Sequence, residues 1–388
     1  MTTVQVPVPE STSSECMGFD GLVQLISRDG QRTVGCPYWE LVADVDAAQL
    51  RDLFRDMAVV RRLDAEAMAL QRQGELALWA PLQGQEAAQV GSVRALRDDD
   101  FVVPSYREHG VAYCRGVDPV DLLHLWRGTA LSGWDPADYN LATPAIVVGS
   151  QALHATGYAL GVTLDGAGSA VITYFGDGAS SEGDVAEALC FAASYSVPVV
   201  FFCQNNQWAI SEPVRVQTHT SIAGRGRGYG IPGIEVDGND VLAVLAATRL
   251  ALSRARAGQG PTLVEAVTYR MGPHTTSDDP TRYRTRAEEE AWRAKDPLVR
   301  LDALLRAEGL ADAGFEDGVE VAAQDAATAL RAGCLALRDP EPAALFDHVY
   351  AGAHPLLDEE RAGYADYLAT FDDPGDERDA HNANERGS

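Results

Sequence analysis

The sequence lacks the cysteine, charge and hydropathy patterns that mark several large classes of protein. Its six cysteines stand at positions 16, 36, 114, 190, 203 and 334 without C-x-x-C or zinc-type spacing, so we expect buried, reduced thiols in a cytoplasmic protein. Basic residues are few, 31 against 57 acidic ones, and the formal charge of -26 disfavours nucleic acid as a partner. No apolar run reaches membrane-spanning length, and residues 1–15 lack the charged and apolar regions of a signal peptide.

The most informative stretch is residues 171–213, which predicts two strands joined by a helix. Residues 171–175 and 197–203 are apolar runs, and each is followed by polar letters, GDG after the first and QNN after the second. Ligands of open parallel sheets bind at the carboxyl ends of the strands. Asp177 and Asn206 are therefore candidate oxygen ligands for a Mg²⁺ ion that also contacts phosphate.

The spacing between these two polar groups is more specific than either group alone. Two glycines around an acid are in general a tight turn, and 26 residues separate Gly178 from Asn205. GDG followed at this distance by NN resembles the thiamine-diphosphate motif. The spacing of Gly176, Gly178 and Gly183 does not fit the G-x-G-x-x-G fingerprint of a Rossmann fold.

Hydrophobic periodicity and capping residues predict the other elements. We expect helices at 46–73, 85–96, 119–128, 151–162, 181–195 and 240–257, and further strands at 101–103, 234–236 and 261–267. Residues 104–109 are predicted as a turn. The small residues of helix 151–162 predict close helix packing, which we expect to be against another subunit. Residues 271–286 are polar with little to bury, so we expect a mobile loop in which function concentrates.

Several ordered sequence blocks resemble the alpha subunit of the decarboxylating first component of 2-oxo acid dehydrogenase complexes. Between about residues 50 and 350 they are LQRQGELALWAPLQGQEAAQVG, PSYREHGV, IVVGSQ, the GDG to NN motif, IPGIEVDGND, GPTLVEAVTYR and GPHTTSDDPTRYR. The resemblance implies an α/β fold of the thiamine-diphosphate-binding kind, with a mainly parallel sheet flanked by helices and a helical C-terminal region.

The domain organisation expected on this basis has four parts. A partly disordered N-terminal arm covers 1–44, the diphosphate-binding domain for thiamine diphosphate covers 45–287, a helical C-terminal region covers 288–371, and a disordered tail covers 372–388.

The resemblance also implies two cofactors, thiamine diphosphate and Mg²⁺. The family's metal ligands fall on Asp177, Asn206 and the main-chain carbonyl of Trp208. Because the last ligand is a backbone atom, the tryptophan side chain itself is less critical there.

The family's diphosphate contacts fall on five residues. Tyr106, Arg107 and His274 would bind the phosphates, with Arg107 as a fixed cationic fork and His274 as a donor and the candidate catalytic residue. Gly178 and Ala179 would bring backbone N–H groups close to phosphate, which a bulky residue could not allow.

The expected site also includes two apolar residues that would contact the cofactor, and three positions near it differ from the family pattern. Ile146 and Val148 would support the aminopyrimidine and the bent cofactor. Cys190 stands where relatives usually carry Asn, Trp208 replaces a Tyr or Phe, and Trp79 replaces a neighbouring aromatic residue. Trp79 and Cys190 put the size and hydrogen bonding of the pocket in question.

The implied function is thiamine-diphosphate-dependent oxidative decarboxylation of a 2-oxo acid, with transfer of the acyl group to a lipoyl group. The chain would act as the alpha subunit of an α2β2 enzyme, beside a beta subunit that supplies the activating glutamate, and a lipoyl-bearing acyltransferase would take the acyl group. A branched-chain substrate (3-methyl-2-oxobutanoate) is favoured by ASSEGD, whereas WAPLQGQEA and GPHTTSDDPTRYR favour pyruvate or acetoin. An alternative from a different functional class is a non-catalytic protein in which the same fold serves as a scaffold. This alternative is disfavoured because the chain retains Asp177, Asn206, Arg107 and His274.

Overall fold

The computed structural model describes residues 21–371 and consists of two compact units, residues 21–337 and 338–371. Residues 1–20 of the predicted arm and the predicted tail 372–388 lie outside the described part. The predicted domain boundaries at 44/45 and 287/288 remain predictions.

The first unit is built on a five-stranded parallel sheet with strand order β1-β2-β3-β7-β6. A separate two-stranded antiparallel hairpin pairs β4 with β5. The strands are β1 Phe101–Val103, β2 Val171–Gly176, β3 Val199–Asn205, β4 Trp208–Ala209, β5 Glu212–Pro213, β6 Gly233–Asp237 and β7 Thr262–Val267. The predicted α/β fold with a parallel sheet is confirmed.

Helices cover both faces of the sheet. In chain order they are α1 Ala47–Arg72, α2 Glu86–Val93, α3 His109–Cys114, α4 Pro119–Arg127, α5 Pro136–Tyr139, α6 Ser150–Leu164, α7 Gly183–Tyr195, α8 Val214–Gln217, α9 Ile222–Arg225, α10 Val241–Arg256, α11 Arg286–Arg293, α12 Pro297–Ala307 and α13 Ala313–Ala336, with α14 Pro355–Ala369 in the second unit. Helices α2 and α10 share one hydrophobic cluster with one face of the sheet, and α6 and α7 share another with the opposite face. The central strands are therefore buried on both sides, which is why their sequences are continuously apolar.

Capping residues fix several of these boundaries. Asp46 and Gln49 form a reciprocal capping box at the start of α1, and Gly74 follows its end with a φ of +83°, the left-handed conformation that glycine adopts without strain. The Asp118 carboxylate accepts from Val120 N–H at the start of α4, and the Asp240 carboxylate caps α10 in the same way. These ends agree with the prediction to within a few residues.

Three local predictions differ from the structure at their boundaries. The predicted helix 181–195 begins at 183, because Ala179–Ser181 forms a separate 3-10 turn. The predicted strand 197–203 is shifted to Val199–Asn205, since Pro198 cannot donate to the ladder and the polar Gln204 and Asn205 still pair with neighbouring strands. The predicted turn 104–109 runs into the short helix α3, whose composition carries no strong helix signal.

Candidate active site

The carboxyl ends of β1, β2, β3 and β7 surround a cavity of about 430 Å³. All ten residues singled out from the sequence line this cavity, and their individual roles remain predictions. They are Tyr106, Arg107, Ile146, Val148, Asp177, Gly178, Ala179, Asn206, Trp208 and His274. The parallel sheet explains this convergence, because the segments following parallel strands emerge at one edge.

Asp177 follows β2 directly and is almost fully buried, with 1% of its surface exposed. Gln217 Nε2 donates to its Oδ2 atom over 3.1 Å, which orients the carboxylate. Burial raises the pKa of the Asp177 carboxyl to about 6, against the opposing effects of the Gln217 hydrogen bond and the Arg270 charge. A cation beside this carboxylate would offset part of the cost of burying its negative charge.

Three oxygen atoms converge at Asp177. The Asn206 amide oxygen lies 3.3 Å from Asp177 Oδ1 and 3.1 Å from the Trp208 carbonyl oxygen. Oxygens without hydrogens repel one another at such distances unless a cation or a proton lies between them. Rotating the amide by 180° would place its oxygen 3.2 Å from Gln85 Oε1, also an acceptor, and would remove the acceptor of Trp208 N–H. The rotated NH₂ group would itself donate to Asp177 Oδ1 and to the Trp208 carbonyl oxygen. The Asn206 amide therefore serves these two oxygens with its NH₂ group when no cation is bound, and with its oxygen turned inward it completes a ligand set that fits a hard cation such as Mg²⁺.

The chemistry of these donors also limits the kind of cation. Within residues 21–371 there is no group of three or more His, Cys, Asp or Glu side chains that could hold a metal ion. A cation here would be bound by one carboxylate and two neutral oxygens. Mg²⁺ is commonly held in this way, by few protein ligands together with phosphate and water.

The turn after β2 brings backbone close to the cavity. Ser180, Ser181 and Glu182 donate their N–H groups back to the carbonyl oxygens of this turn, whereas the first N–H groups of such a turn, those of Gly178 and Ala179, have no partner within it. A Cβ atom on Gly178 would lie 2.8 Å from the Ala209 Cβ, so the approach of the two segments requires glycine. These N–H groups are suited to an anion.

Arg107 is buried beside the cavity with its guanidinium held by backbone oxygens. Its Nη1 donates to Pro81 O over 2.6 Å and its Nη2 to His274 O over 2.9 Å. The guanidinium lies 5.5 Å from the centre of the Tyr106 ring, a cation–π distance. No Asp or Glu of the described chain forms an ion pair with it, so its charge is available to an anion.

His274 faces two guanidinium groups through one ring nitrogen. Its Nδ1 atom lies 3.3 Å from Arg107 Nη2 and 3.5 Å from Arg270 Nη1. Burial, together with these two positive charges, lowers the pKa of His274 to about 3. The imidazole is therefore neutral at physiological pH, Nδ1 is the acceptor, and the proton is on Nε2.

Arg270 is a central residue of the site that the sequence reasoning missed. It is fully buried and donates to Trp208 O (2.9 Å), Ile210 O (2.7 Å) and the Tyr283 hydroxyl (2.9 Å). Burial and the neighbouring Arg107 lower its pKa to about 10, so it remains charged. A basic residue just beyond a predicted parallel strand was a usable signal. Together the two arginines make a positive pocket in a strongly acidic chain.

Other polar lining residues gave no usable sequence signal. Gln85 accepts from Asn206 Nδ2 over 3.2 Å, and Glu108 accepts from Gln204 Nε2 over 2.5 Å and from Ser105 N–H over 2.7 Å. Burial raises the pKa of Glu108. These side chains are recognisable only once the fold has brought them to the cavity.

The remainder of the cavity wall is apolar. Ile146 and Val148 are 52% and 42% exposed and lie on it. Further large apolar side chains of the wall are those of Leu78, Trp126, Trp208 and Ile210. Trp79 is buried behind the wall, where its ring stacks on His109 at 4.0 Å, so it does not set the size of the cavity by direct contact. Cys190 is exposed on α7, contrary to the buried thiol expected, and does not line the cavity.

The loop after β7 is held by more interactions than its sequence indicates. The Asp278 carboxylate accepts from His274 N–H over 2.7 Å and from the Tyr283 hydroxyl over 2.5 Å. Arg284 is buried and donates to Arg270 O and Met271 O. The expectation that residues 271–286 have little to bury is therefore wrong at Arg284.

The chain is similar to one family model and to several known dehydrogenase subunits. The family model described as Dehydrogenase E1 component matches residues 55–328. The chain is 46% identical over 351 residues to the 3-methyl-2-oxobutanoate dehydrogenase subunit alpha of Mycobacterium tuberculosis, covering 90% of this chain and 95% of that protein. It is 43% identical over 291 residues to the pyruvate dehydrogenase E1 component subunit alpha of Staphylococcus epidermidis, covering 74% and 78%. The corresponding Staphylococcus aureus subunit is 44% identical over 273 residues, covering 70% and 74%.

Proposed function

The chain belongs to the dehydrogenase E1 component family, whose members depend on thiamine diphosphate, and on this premise we propose that it is the alpha subunit of a branched-chain 2-oxo acid dehydrogenase. Its reaction is oxidative decarboxylation of the 2-oxo acid, with transfer of the acyl group to a lipoyl group. One observation carries the proposal more than any other. The side chains of Asp177 and Asn206 and the carbonyl oxygen of Trp208 converge in the cavity that Arg107 and His274 also line.

The residues present fit both cofactors. Asp177, Asn206 and the Trp208 carbonyl oxygen would hold Mg²⁺. Arg107 would bind the diphosphate through its charge, and His274 through its Nε2–H. The N–H groups of Gly178 and Ala179 would add neutral donors, and Tyr106 supports Arg107 from the side.

The cofactor supplies the electron sink for loss of CO₂, and the protein supplies binding, orientation and electrostatics. Burial and the positive charges of Arg107 and Arg270 lower the pKa of His274 and keep its imidazole neutral, so that Nε2–H donates a hydrogen bond. Ile146 and Val148 offer apolar surface to the ring portion of the cofactor. Burial of the charged groups excludes water and strengthens their electrostatic interactions.

A branched aliphatic substrate is supported by two observations. The relative named for 3-methyl-2-oxobutanoate matches a larger share of this chain than the pyruvate dehydrogenase subunits do. The cavity wall around Leu78, Trp126 and Ile210 is apolar, and each additional buried CH₂ contributes about 0.8 kcal/mol of hydrophobic free energy. Pyruvate is the second candidate, because relatives named for it are 43% to 44% identical.

The proposed partners are a beta subunit, in an α2β2 assembly, and a lipoyl-bearing acyltransferase. Helices α6 and α7 present an uncovered face with Tyr158, Leu164, Phe191 and Tyr195 exposed. Exposed apolar side chains on neighbouring helices mark an interaction surface, and we assign this face to the beta subunit.

Within residues 21–371 no helix is long and apolar enough to cross a membrane. Cys114, Cys190, Cys203 and Cys334 are free thiols, which supports the proposed location in the cytoplasm.

The test is to purify the chain with its beta subunit and to follow decarboxylation with an artificial electron acceptor. The proposal predicts turnover that requires thiamine diphosphate and Mg²⁺, and no turnover by the chain alone. It also predicts a kcat/KM for 3-methyl-2-oxobutanoate that is at least tenfold (about 1.4 kcal/mol) above the value for pyruvate. Comparable turnover by the chain alone would refute the shared site. A preference for pyruvate would refute only the substrate assignment.

A further inference from the structure

We propose that Asp64, on helix α1, is a positioning residue that orients Arg107 and the His274 loop through residues 79–85. We call residues 79–85 the bracing segment. This inference rests on the proposed function, because it assigns Asp64 a role in binding the diphosphate of the cofactor. Asp64 does not line the cavity, so its effect would have to pass through other residues.

Asp64 is buried, with 3% of its surface exposed, and its carboxylate accepts from three donors of the bracing segment. Trp79 Nε1 donates to Oδ1 over 2.7 Å. Leu82 N–H is shared between the two carboxylate oxygens at 3.1 Å each, and Gln83 N–H donates to Oδ2 over 3.2 Å. A single carboxylate therefore fixes both ends of the turn that carries Pro81.

The bracing segment in turn holds the groups assigned to the diphosphate. Pro81 O accepts from Arg107 Nη1 over 2.6 Å, which fixes one arm of the guanidinium fork. The His274 loop is bonded to the same segment on both sides of the histidine. Met271 N–H donates to Gln83 O over 2.9 Å, and Thr276 exchanges two hydrogen bonds with the Trp79 backbone, at 2.9 Å and 3.1 Å.

A carboxylate is required at this position for a chemical reason. Its partners are all N–H donors, and an ionised carboxylate is an acceptor at both oxygens. Burial raises the pKa of Asp64 to about 6, so the group is ionised at pH 7.5. An asparagine would offer one acceptor and would direct its NH₂ group against a backbone N–H, leaving a buried donor unpaired.

The experiment compares Asp64→Asn with Asp56→Asn in the assembled, cofactor-free enzyme. Asp56 is a matched control, since it is a buried acid on α1 whose carboxylate bonds to Arg94 and not to the bracing segment. Calorimetry at pH 7.5 should show the Kd for thiamine diphosphate with Mg²⁺ raised at least tenfold by Asp64→Asn and less than twofold by Asp56→Asn. Saturating cofactor should restore kcat to within about threefold. Hydrogen exchange should accelerate at Leu82 and Gln83 in the Asp64 variant alone.

A double-mutant cycle then tests whether Asp64 acts through Arg107. In an Arg107→Ala background the fold-change caused by Asp64→Asn should be at least threefold smaller than in the wild type. Equal fold-changes in both backgrounds, an unchanged Kd, or equal effects of the two aspartate variants would each overturn the inference. If Asp64→Asn does not assemble, Asp64→Glu is used in the same measurements. Rapid hydrogen exchange at Leu82 and Gln83 in the wild-type enzyme would also contradict the inference. A wild-type enzyme that binds no thiamine diphosphate would instead refute the proposed function.

Discussion

The Nδ1 atom of His274 lies 3.3 Å from the Arg107 guanidinium, and this contact determines which ring nitrogen serves the cavity. Because the guanidinium can only donate, Nδ1 must accept and Nε2 carries the hydrogen. His274→Ala should therefore raise the Kd for thiamine diphosphate about tenfold, the cost of a charge-assisted hydrogen bond. His274→Gln retains an N–H donor and should recover part of the loss in the same calorimetric titration.

His109 should make the protein less stable in acid. Burial lowers its pKa to about 3, whereas the unfolded chain binds a proton near pH 6.5. The unfolded state therefore binds more protons between these values, and the free energy of unfolding falls as pH drops below 6.5. At pH 5 the loss relative to pH 7.5 should be about 2 kcal/mol.

Denaturant unfolding at both pH values checks this effect. His109→Gln keeps a donor for Ala80 O, which His109 Nε2 approaches to 3.0 Å, and should lose about 2 kcal/mol less stability between pH 7.5 and 5. The exposed His348→Gln serves as the control. Identical acid sensitivity of His109→Gln and the wild type would contradict the assignment.

The loop over residues 271–286 should become protected when thiamine diphosphate and Mg²⁺ bind. Arg282 and Arg286 are exposed, whereas Arg284 is buried. The loop is tied to the proposed phosphate contacts through Arg270, whose Nη2 donates to the Tyr283 hydroxyl over 2.9 Å. Trypsin should cut at Arg282 and Arg286 in the cofactor-free enzyme and several-fold more slowly in the loaded one. Equal rates in both states would speak against ordering by the cofactor.

The sequence predicted the sheet and the residues around the cavity better than it predicted the polar network behind them. Continuous apolar runs and polar strand ends identified β2 and β3, and the family blocks brought Arg107 and His274 into one hypothesis. Arg270 was missed although its place just beyond a predicted strand was a usable signal, because a buried arginine bonded to carbonyl oxygens has no periodic signature of its own. Gln85 was missed because only the fold brings it to Asn206. The role of Asp64 depends on a turn 15 or more residues away in the chain, and such pairings follow from tertiary packing alone.

The exposed face of α6 should be required for assembly with the beta subunit. Gly157 and Gly161 lie on this helix, and a Cβ on either would meet no atom within 4 Å. Gly157→Leu and Gly161→Leu should therefore fold normally, since leucine is the better helix former, but should prevent close packing of a partner. Light scattering on the co-purified subunits should show loss of α2β2, while Gly318→Leu on α13, which also meets open space, should assemble. Normal assembly of the α6 variants would place the beta subunit elsewhere.

The metal and diphosphate assignment is tested most directly by calorimetric titration of thiamine diphosphate into assembled Asp177→Ala enzyme in the presence of Mg²⁺. The carboxylate contributes the only charged oxygen among the three that converge with Asn206 and the Trp208 carbonyl. The variant should assemble and unfold at a temperature close to that of the wild type, yet show no cofactor binding at concentrations that saturate the wild type. An affinity equal to that of the wild type in a correctly assembled variant would contradict the assignment.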